Sequence, residues 1–358
     1  MGHVKRGFEA FIADLADQLC SDGFEKNITV YSSAPYKGAH FSSKPLPAIR
    51  RFHKTINRFC SDDLSYRLEQ YSFFFFLLPQ VLLKKPHLIY MGEYLQYCYL
   101  YKARKYLRLS YSLALYTGGQ TFPGLFDVNR DIIHHITDVY LPPSNPHNNF
   151  PLQQQYLIPH FIKENFFGHE EETYKSVKLK AGNKRILLSI GILDNSIKRM
   201  SFLADALTGK SQEIFPIFLG QPTKETPAII KQLDQIFTKE GYILGHVPRE
   251  QLGSYYKLAD LFVLCSLKES FGLIFLEALW HGKQVLCHDF EEAHYVLKNH
   301  AVFIDMKDKL LLQKTIVDFF VGYNYSCSIA KHQFVVNNYT WASLKAKYLK
   351  MFSLAYET

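Results

Sequence analysis

Alternation of short apolar runs with longer stretches of helical period constrains this chain more than any other feature. In the second half the runs fall at 186–190, 215–219, 242–244, 261–264 and 284–286. Helical stretches lie between them at 199–207, 227–239, 249–258 and 272–281. This alternation predicts a parallel sheet covered on both faces, because parallel neighbours need a crossover to connect them. The runs close in polar or glycine-containing loops: Gly191, Gly220 with Gln221, Gly245 with His246, and Ser266. Doubly wound sheets bind ligands at the carboxyl ends of their strands, so these loops are where a site is expected.

The first half alternates less regularly. Phe8, Phe11, Ile12, Leu15 and Leu19 make a helical stripe. A strand is expected at 28–32, helices at 46–59 and 64–83, a strand at 88–91, a helix through Leu107 and a strand at 113–116. The Pro- and Asn-rich stretch 141–151 breaks the pattern, and a charged helical segment follows near 170–180. With 358 residues, 47% hydrophobic and 21% charged, the chain can fill two cores and is not of disordered composition. The expected domains are 1–165 and 166–338.

The six cysteines are scattered without a C-x-x-C pair, which predicts free core thiols in a reducing, cytoplasmic setting. No secretory leader is read at the start. The apolar segment 73–83 is too short to span a bilayer and contains Pro79 and Gln80, so a buried helix is expected. The net charge of +8 includes clusters at Arg50, Arg51, Lys54, Arg58 and at Lys102, Arg104, Lys105, Arg108. Three readings stay open for them: solvated helix faces, a site for a phosphorylated acceptor, or peripheral contact with an anionic membrane at its inner face. No nucleic-acid reader motif accompanies the charge, and nucleic acid is not an expected partner.

The segment from Ser266 to Leu286 is the richest in chemistry. A strand ends near Leu264, and a loop holding Glu269, Ser270 and Phe271 leads into a helix. Gly272 permits close approach of backbone to a ligand, and the free N–H groups of a helix start suit a pyrophosphate. Glu277 is expected two turns inside that helix, within the apolar run 273–280. A buried carboxylate there needs donors, and ribose hydroxyls would serve. The bland alternative makes Glu277 a helix-surface residue and Glu269 a first-turn charge suited to the helix dipole.

Glu269 and Glu277, with Ser270-Phe-Gly-Leu273 between them and Ala278-Leu279 after, resemble the Glu-x7-Glu signature of the family-4 retaining glycosyltransferases. Gly191 with Lys198 and Arg199 resembles the family's phosphate-binding stretch; Gly220, the segment 244–247 with His246 and Val247, and 255–266 match in order and spacing. The resemblance implies a GT-B α/β fold: two Rossmann-like doubly wound domains facing a cleft, the first binding acceptor and the second donor, with the helix at 339–358 returning to the first. It implies catalytic roles for Glu269, beside the transferred sugar, and Lys198, on the diphosphate. Donor-binding roles follow for Arg199, Ser270, Phe271, Gly272, Leu273, Glu277, Gly191, Gly220, His246 and Val247, and for Gly118 and Gly119 in the first domain. The partners implied are a UDP- or GDP-type nucleotide sugar, a co-substrate rather than a cofactor, and a glycan or lipid-linked acceptor.

The sequence departs from the family at three places: Ile192 stands where an Arg is usual, the family's first strand is not found before the helix at Phe8, and 117–124 lacks the family's loop histidine. These departures keep a second reading open, an inactive relative that binds a nucleotide, glycan or protein. No Asp-x-Asp, G-x-G-x-x-G or P-loop occurs, and His134, His135, His160, His288 and His294 lack metal-ligand spacing, so no metal or other cofactor is expected.

Overall fold

The computed structural model describes residues 7–49, 61–118, 130–141, 154–164, 171–322 and 328–357. The chain divides into two compact units, Met1–His160 with Leu344–Thr358, and Phe161–Ser343. The divisions thus fall at His160 and Ser343, a few residues from the 165 and 338 expected.

The first described element of unit 1 is α1 (Gly7–Leu19), followed by two short strands, β1 (Tyr31–Ser32) and β2 (Lys44–Pro45), which among the described residues pair only with each other. The strand expected at 28–32 is therefore cut to two residues and stays out of the main sheet. Of the helix expected at 46–59, residues 46–49 are not helical and 50–59 lie outside the described residues. Then come α2 (Asp62–Lys84), β3 (Leu88–Met91), α3 (Tyr94–Leu107), β4 (Ser112–Tyr116), β5 (Ile132–His135) and β6 (Gln155–Leu157). Strands β3 to β6 form a parallel sheet in chain order. Among the described residues this sheet has no reversal of strand order.

The core of unit 1 is held by polar groups as well as apolar ones. Arg104 and Asp131 form a buried two-pronged ion pair, 2.5 and 2.8 Å. Tyr97 donates its hydroxyl to Asp131 at 2.7 Å, Leu113 N–H donates at 3.1 Å, and Arg104 also donates to Tyr111 C=O at 3.1 Å. Arg104 is thus a core residue and leaves the surface cluster proposed from sequence. His134 donates from Nε2 to Ile158 C=O at 2.8 Å, since a carbonyl can only accept; Nδ1 then accepts from Tyr90 at 2.6 Å. His160 accepts from or donates to Tyr116 at 2.8 Å and stacks on Phe11 at 4.0 Å.

Unit 2 contains α4 (Glu171–Ala181), β7 (Arg185–Ile190), α5 (Met200–Ala206), β8 (Ile214–Leu219), α6 (Thr226–Ile236), β9 (Ile243–Gly245) and α7 (Leu252–Leu258). It continues with β10 (Leu261–Leu264), α8 (Leu273–Trp280), β11 (Gln284–His288), α9 (Glu291–Leu297), β12 (Ala301–Ile304), α10 (Lys309–Gly322) and α11 (Ser328–Tyr339). The last helix, α12 (Trp341–Glu357), joins unit 1 from Leu344 onward, where Tyr348 donates to Pro159 C=O at 2.8 Å. The six parallel strands lie in the order β12-β11-β10-β7-β8-β9, a doubly wound sheet whose order reverses between β7 and β10. Its central strands are apolar on both faces, as burial under helices on each side requires: β8 and β10 are buried throughout.

Two measurements test this core. Asp131→Asn leaves Arg104 buried without its counter-charge, and chemical denaturation should show unit 1 destabilised by about 3 kcal/mol or more. Burial holds His134 and His135 at a pKa of about 4 against an ordinary 6.5. The unfolded chain therefore binds more protons between those values. Stability should be full above about pH 6.5 and fall steadily towards pH 4, with unfolding at stepped pH values as the readout.

Candidate functional site

The reversal between β7 and β10 brings the loops after these two strands side by side. The first loop is shaped by Asp194, whose Oδ1 accepts from the N–H groups of Ile197 at 3.3 Å and Lys198 at 2.7 Å. Ser196 donates to Oδ2 at 3.3 Å, and the Asp194 carbonyl receives Met200 N–H at 3.0 Å as α5 begins. Such a side-chain-to-backbone turn fixes Lys198 before its long side chain is considered. The lysine stem runs past Gly191, where a Cβ would lie 2.9–3.1 Å from its Cγ, Cδ and Cε. Its ammonium pairs with the Glu269 carboxylate. The two side chains are 13% and 15% exposed, shielded enough to strengthen the pairing and open enough to meet a ligand.

Arg199 caps α5 in the left-handed region, φ 54°. Its guanidinium donates to Cys265 C=O at 3.3 Å and Met306 C=O at 2.6 Å and lies 4.0 Å from the Phe202 ring centre. Its described contacts therefore tie together the loops after β7, β10 and β12. Gly220, after β8, approaches even more closely: a Cβ there would stand 1.5 Å from Gly191 O.

After β10, Ser266 is buried and its hydroxyl has no hydrogen-bond partner among the described residues. Ser270 is exposed, and Phe271 is buried edge-on to Tyr339 with ring centres 6.1 Å apart. Gly272 caps α8 at φ 75°, and a Cβ there would meet Phe275 Cδ2 at 2.4 Å. Leu273, half-buried, is the first residue of α8, so Glu277 stands little more than one turn inside rather than two.

Glu277 is buried, as its apolar surroundings predict, but the protein itself supplies donors. Arg249 Nη2 donates to Oε1 and the Tyr256 hydroxyl to Oε2, each at 3.0 Å. Burial, reinforced by the Glu277 charge, pushes the Tyr256 hydroxyl well above its ordinary pKa, so it stays a donor. A carboxylate has about four lone-pair sites, which leaves room for further donors.

Gly191, Lys198, Glu269 and Gly220 are thus brought together, with Arg199 bracing them and Glu277 in its own hydrogen-bonded group. His246, exposed, and Val247, half-buried, follow the edge strand β9 and make no described contact with the Lys198–Glu269 pair. Gly118 lies in unit 1 at φ 56°, while Gly119 lies outside the described residues. Asp194, Arg249 and Tyr256 were missed from sequence. Asp194 followed by Asn and Ser ahead of a lysine was a usable turn signal; Tyr256 lay within the matched segment 255–266 with no role assigned to it, and no local pattern marks Arg249. Among the described residues no group of three or more His, Cys, Asp or Glu is placed to hold a metal ion.

Residues 170–320 match the family described as Glycosyl transferases group 1, which makes unit 2 a domain of that type. A putative teichuronic acid biosynthesis glycosyltransferase, TuaC of Bacillus subtilis (strain 168), is 29% identical over 138 residues, 37% of this chain and 33% of the relative. The O-antigen chain mannosyltransferase B of Escherichia coli is 33% identical over 96 residues, 26% of this chain and 25% of the relative. The matches thus span a third and a quarter of these relatives. Anabaena HepE, solved in complex with UDP and glucose, superposes with a TM-score of 0.72 over 99% of this chain and 97% of that one, at 14% identity. At that identity the likeness defines the fold, which is GT-B.

Three glycine substitutions check the loop packing. Gly220→Ala meets unyielding backbone and should cost about 3 kcal/mol or more. Gly272→Ala should cost about 1–2 kcal/mol for its left-handed backbone, plus whatever Phe275 must give. Gly245→Ala, with nothing within 4 Å of the new Cβ, should stay within about 0.5 kcal/mol of the parent in denaturant titration.

Proposed function

We propose that this chain is a retaining glycosyltransferase of the family-4 type, moving a hexose-type sugar from a UDP- or GDP-linked donor to a glycan or lipid-linked acceptor. The observation that carries the reading is the Lys198–Glu269 pair at the strand-order reversal of the group 1 domain, beside the Gly272 start of α8. The donor diphosphate lies against the first amides of α8 and the Lys198 ammonium. An ammonium has three N–H groups, so Lys198 can keep Glu269 and still reach phosphate oxygen. That positive charge stabilises the diphosphate as it leaves, without a metal ion. Glu269 stands beside the sugar and stabilises positive charge developing at the anomeric carbon, an interaction strongest in the transition state. The bond from that carbon to the diphosphate oxygen breaks, the acceptor hydroxyl oxygen bonds on the same face, and the hydroxyl proton passes to the departing diphosphate.

Glu277 takes the ribose hydroxyls on its remaining lone pairs, with Arg249 and Tyr256 fixing its orientation. Support for a UDP donor comes from HepE, which holds UDP and glucose. Support for a glycan acceptor comes from TuaC, named for teichuronic acid biosynthesis, and from the mannosyltransferase named for the O-antigen chain.

The test is a thermal-shift and hydrolysis screen of UDP-, GDP-, ADP- and TDP-sugars on the parent chain, Glu277→Gln and Lys198→Ala. One base should stabilise the parent by about 2.7 kcal/mol at a hundred times its Kd. Glu277→Gln should weaken that shift, and Lys198→Ala should slow donor turnover about 100-fold or more. Binding without turnover would favour an inactive relative; no response to any donor would overturn the reading.

A further inference from the structure

The solvent face of α2 carries an apolar stripe, with Asp62, Asp63 and Arg67 exposed beside it only in the first two turns. At 100° per residue, Leu64, Tyr71, Phe75 and Leu82 fall on one stripe, and all four are exposed, Phe75 by 62%. Phe76 and Leu83 flank the stripe, Leu83 being 76% exposed. The segment 73–83, expected as a buried helix, is therefore buried on one side only. Large side chains held out in water on one helix face mark an interaction surface.

The neighbouring helix extends this surface. Tyr66 donates to Glu93 at 2.7 Å, Gln96 to Gln70 at 3.1 Å, and Phe74 meets Tyr99 with ring centres 5.3 Å apart. Contacts at 66–93, 70–96 and 74–99 advance in the same direction, so α2 and α3 run parallel and their carboxyl ends lie together. The end of α3 is also exposed and apolar, with Tyr106 79% exposed and Leu107 beside it. Lys84 and Lys85 close α2, and Lys102, Lys105 and Arg108 surround the end of α3, all exposed. From Tyr71 to Gly118 the sequence has a single acid, Glu93, at the opposite end of α3. Arg104, within the same run, is withdrawn into the core by Asp131, so the basic rim is Lys84, Lys85, Lys102, Lys105 and Arg108.

We infer that this face, the outer stripe of α2 with the carboxyl ends of α2 and α3, docks on an anionic lipid bilayer. The charge decides the occupant: two lysine-rich helix ends around exposed Leu and Tyr side chains suit a surface that is anionic outside and apolar just beneath. Among the described residues no helix is long and apolar enough to cross a membrane, so the contact is interfacial.

Vesicle flotation of the full chain tests this, with phosphatidylcholine vesicles and vesicles of three parts phosphatidylcholine to one of phosphatidylglycerol. The parent should float with the anionic vesicles and not with the neutral ones. Lys84→Glu with Lys85→Glu should lower the bound fraction about tenfold or more, and high salt should mimic it. Phe75→Ser with Leu83→Ser should also release the protein, at any salt. All these positions are exposed and outside the proposed donor site, so the melting temperature and donor response should match the parent. Equal binding by parent and variants would overturn the proposal, as would failure of the parent to float. So would a parent dimer in solution that Phe75→Ser with Leu83→Ser dissociates, since the face would then serve a second copy.

Discussion

The ion pair between Lys198 and Glu269 joins two segments 71 residues apart in sequence, and it can form only because the strand order of unit 2 reverses between β7 and β10. Parallel strands start every crossover at the same edge, and a reversal sends neighbouring crossovers to opposite faces. The loops after β7 and β10 are then adjacent without a helix between them. Everything nearby adapts to this adjacency. Gly220 gives up its side chain so that its backbone can approach that of Gly191, Gly191 gives up its own to the Lys198 stem, Asp194 folds its loop so that Lys198 starts from a fixed point, and Arg199 fastens the loops after β10 and β12. The pair itself costs little to keep at the edge of solvent, where neither charge is fully dehydrated.

Glu277 presents the opposite balance. Its carboxylate is almost wholly removed from water, with Arg249 only partly so, and a buried charge of this kind is tolerable only with donors on it. Arg249 from the segment before α7 and Tyr256 from α7 supply them. The consequence is orientation: with both oxygens held, the carboxylate cannot rotate, and any ligand hydroxyl must come to the lone pairs left over. A residue prepared this way loses little entropy on binding.

The doubly wound sheet of unit 2 was legible because its strands are unbroken apolar runs separated by helical period. Strands β2, β5, β6 and β12 were not read. In β5 two isoleucines are followed by His134 and His135, which look like surface residues until the neighbouring Tyr90, Ile158 and Gln155 satisfy their ring nitrogens. Lys198, Glu269 and Gly272 were visible as a motif and Asp194 acts within its own turn, whereas Arg249 and Tyr256 reach Glu277 from another segment, a contact that no local spacing encodes. The same limit applies to Arg104: in sequence it is one of four basic residues in a row of seven, and only Asp131, just ahead of β5, separates it from Lys102 and Lys105.

That separation has a wider implication for how unit 1 uses charge. A helix next to a parallel sheet must bury one face, and α3 buries Tyr97, Leu100 and Arg104 on it. Placing an arginine there needs Asp131 and the Tyr111 carbonyl to neutralise and satisfy it, which fixes the helix against β4 and β5 more rigidly than apolar contact would. With the helix so anchored, its outer lysines and the exposed apolar residues at its end are displayed at a fixed angle. Neither the inner ion pair nor the outer basic rim can be inferred from net charge, because the former cancels within the core and the latter does not.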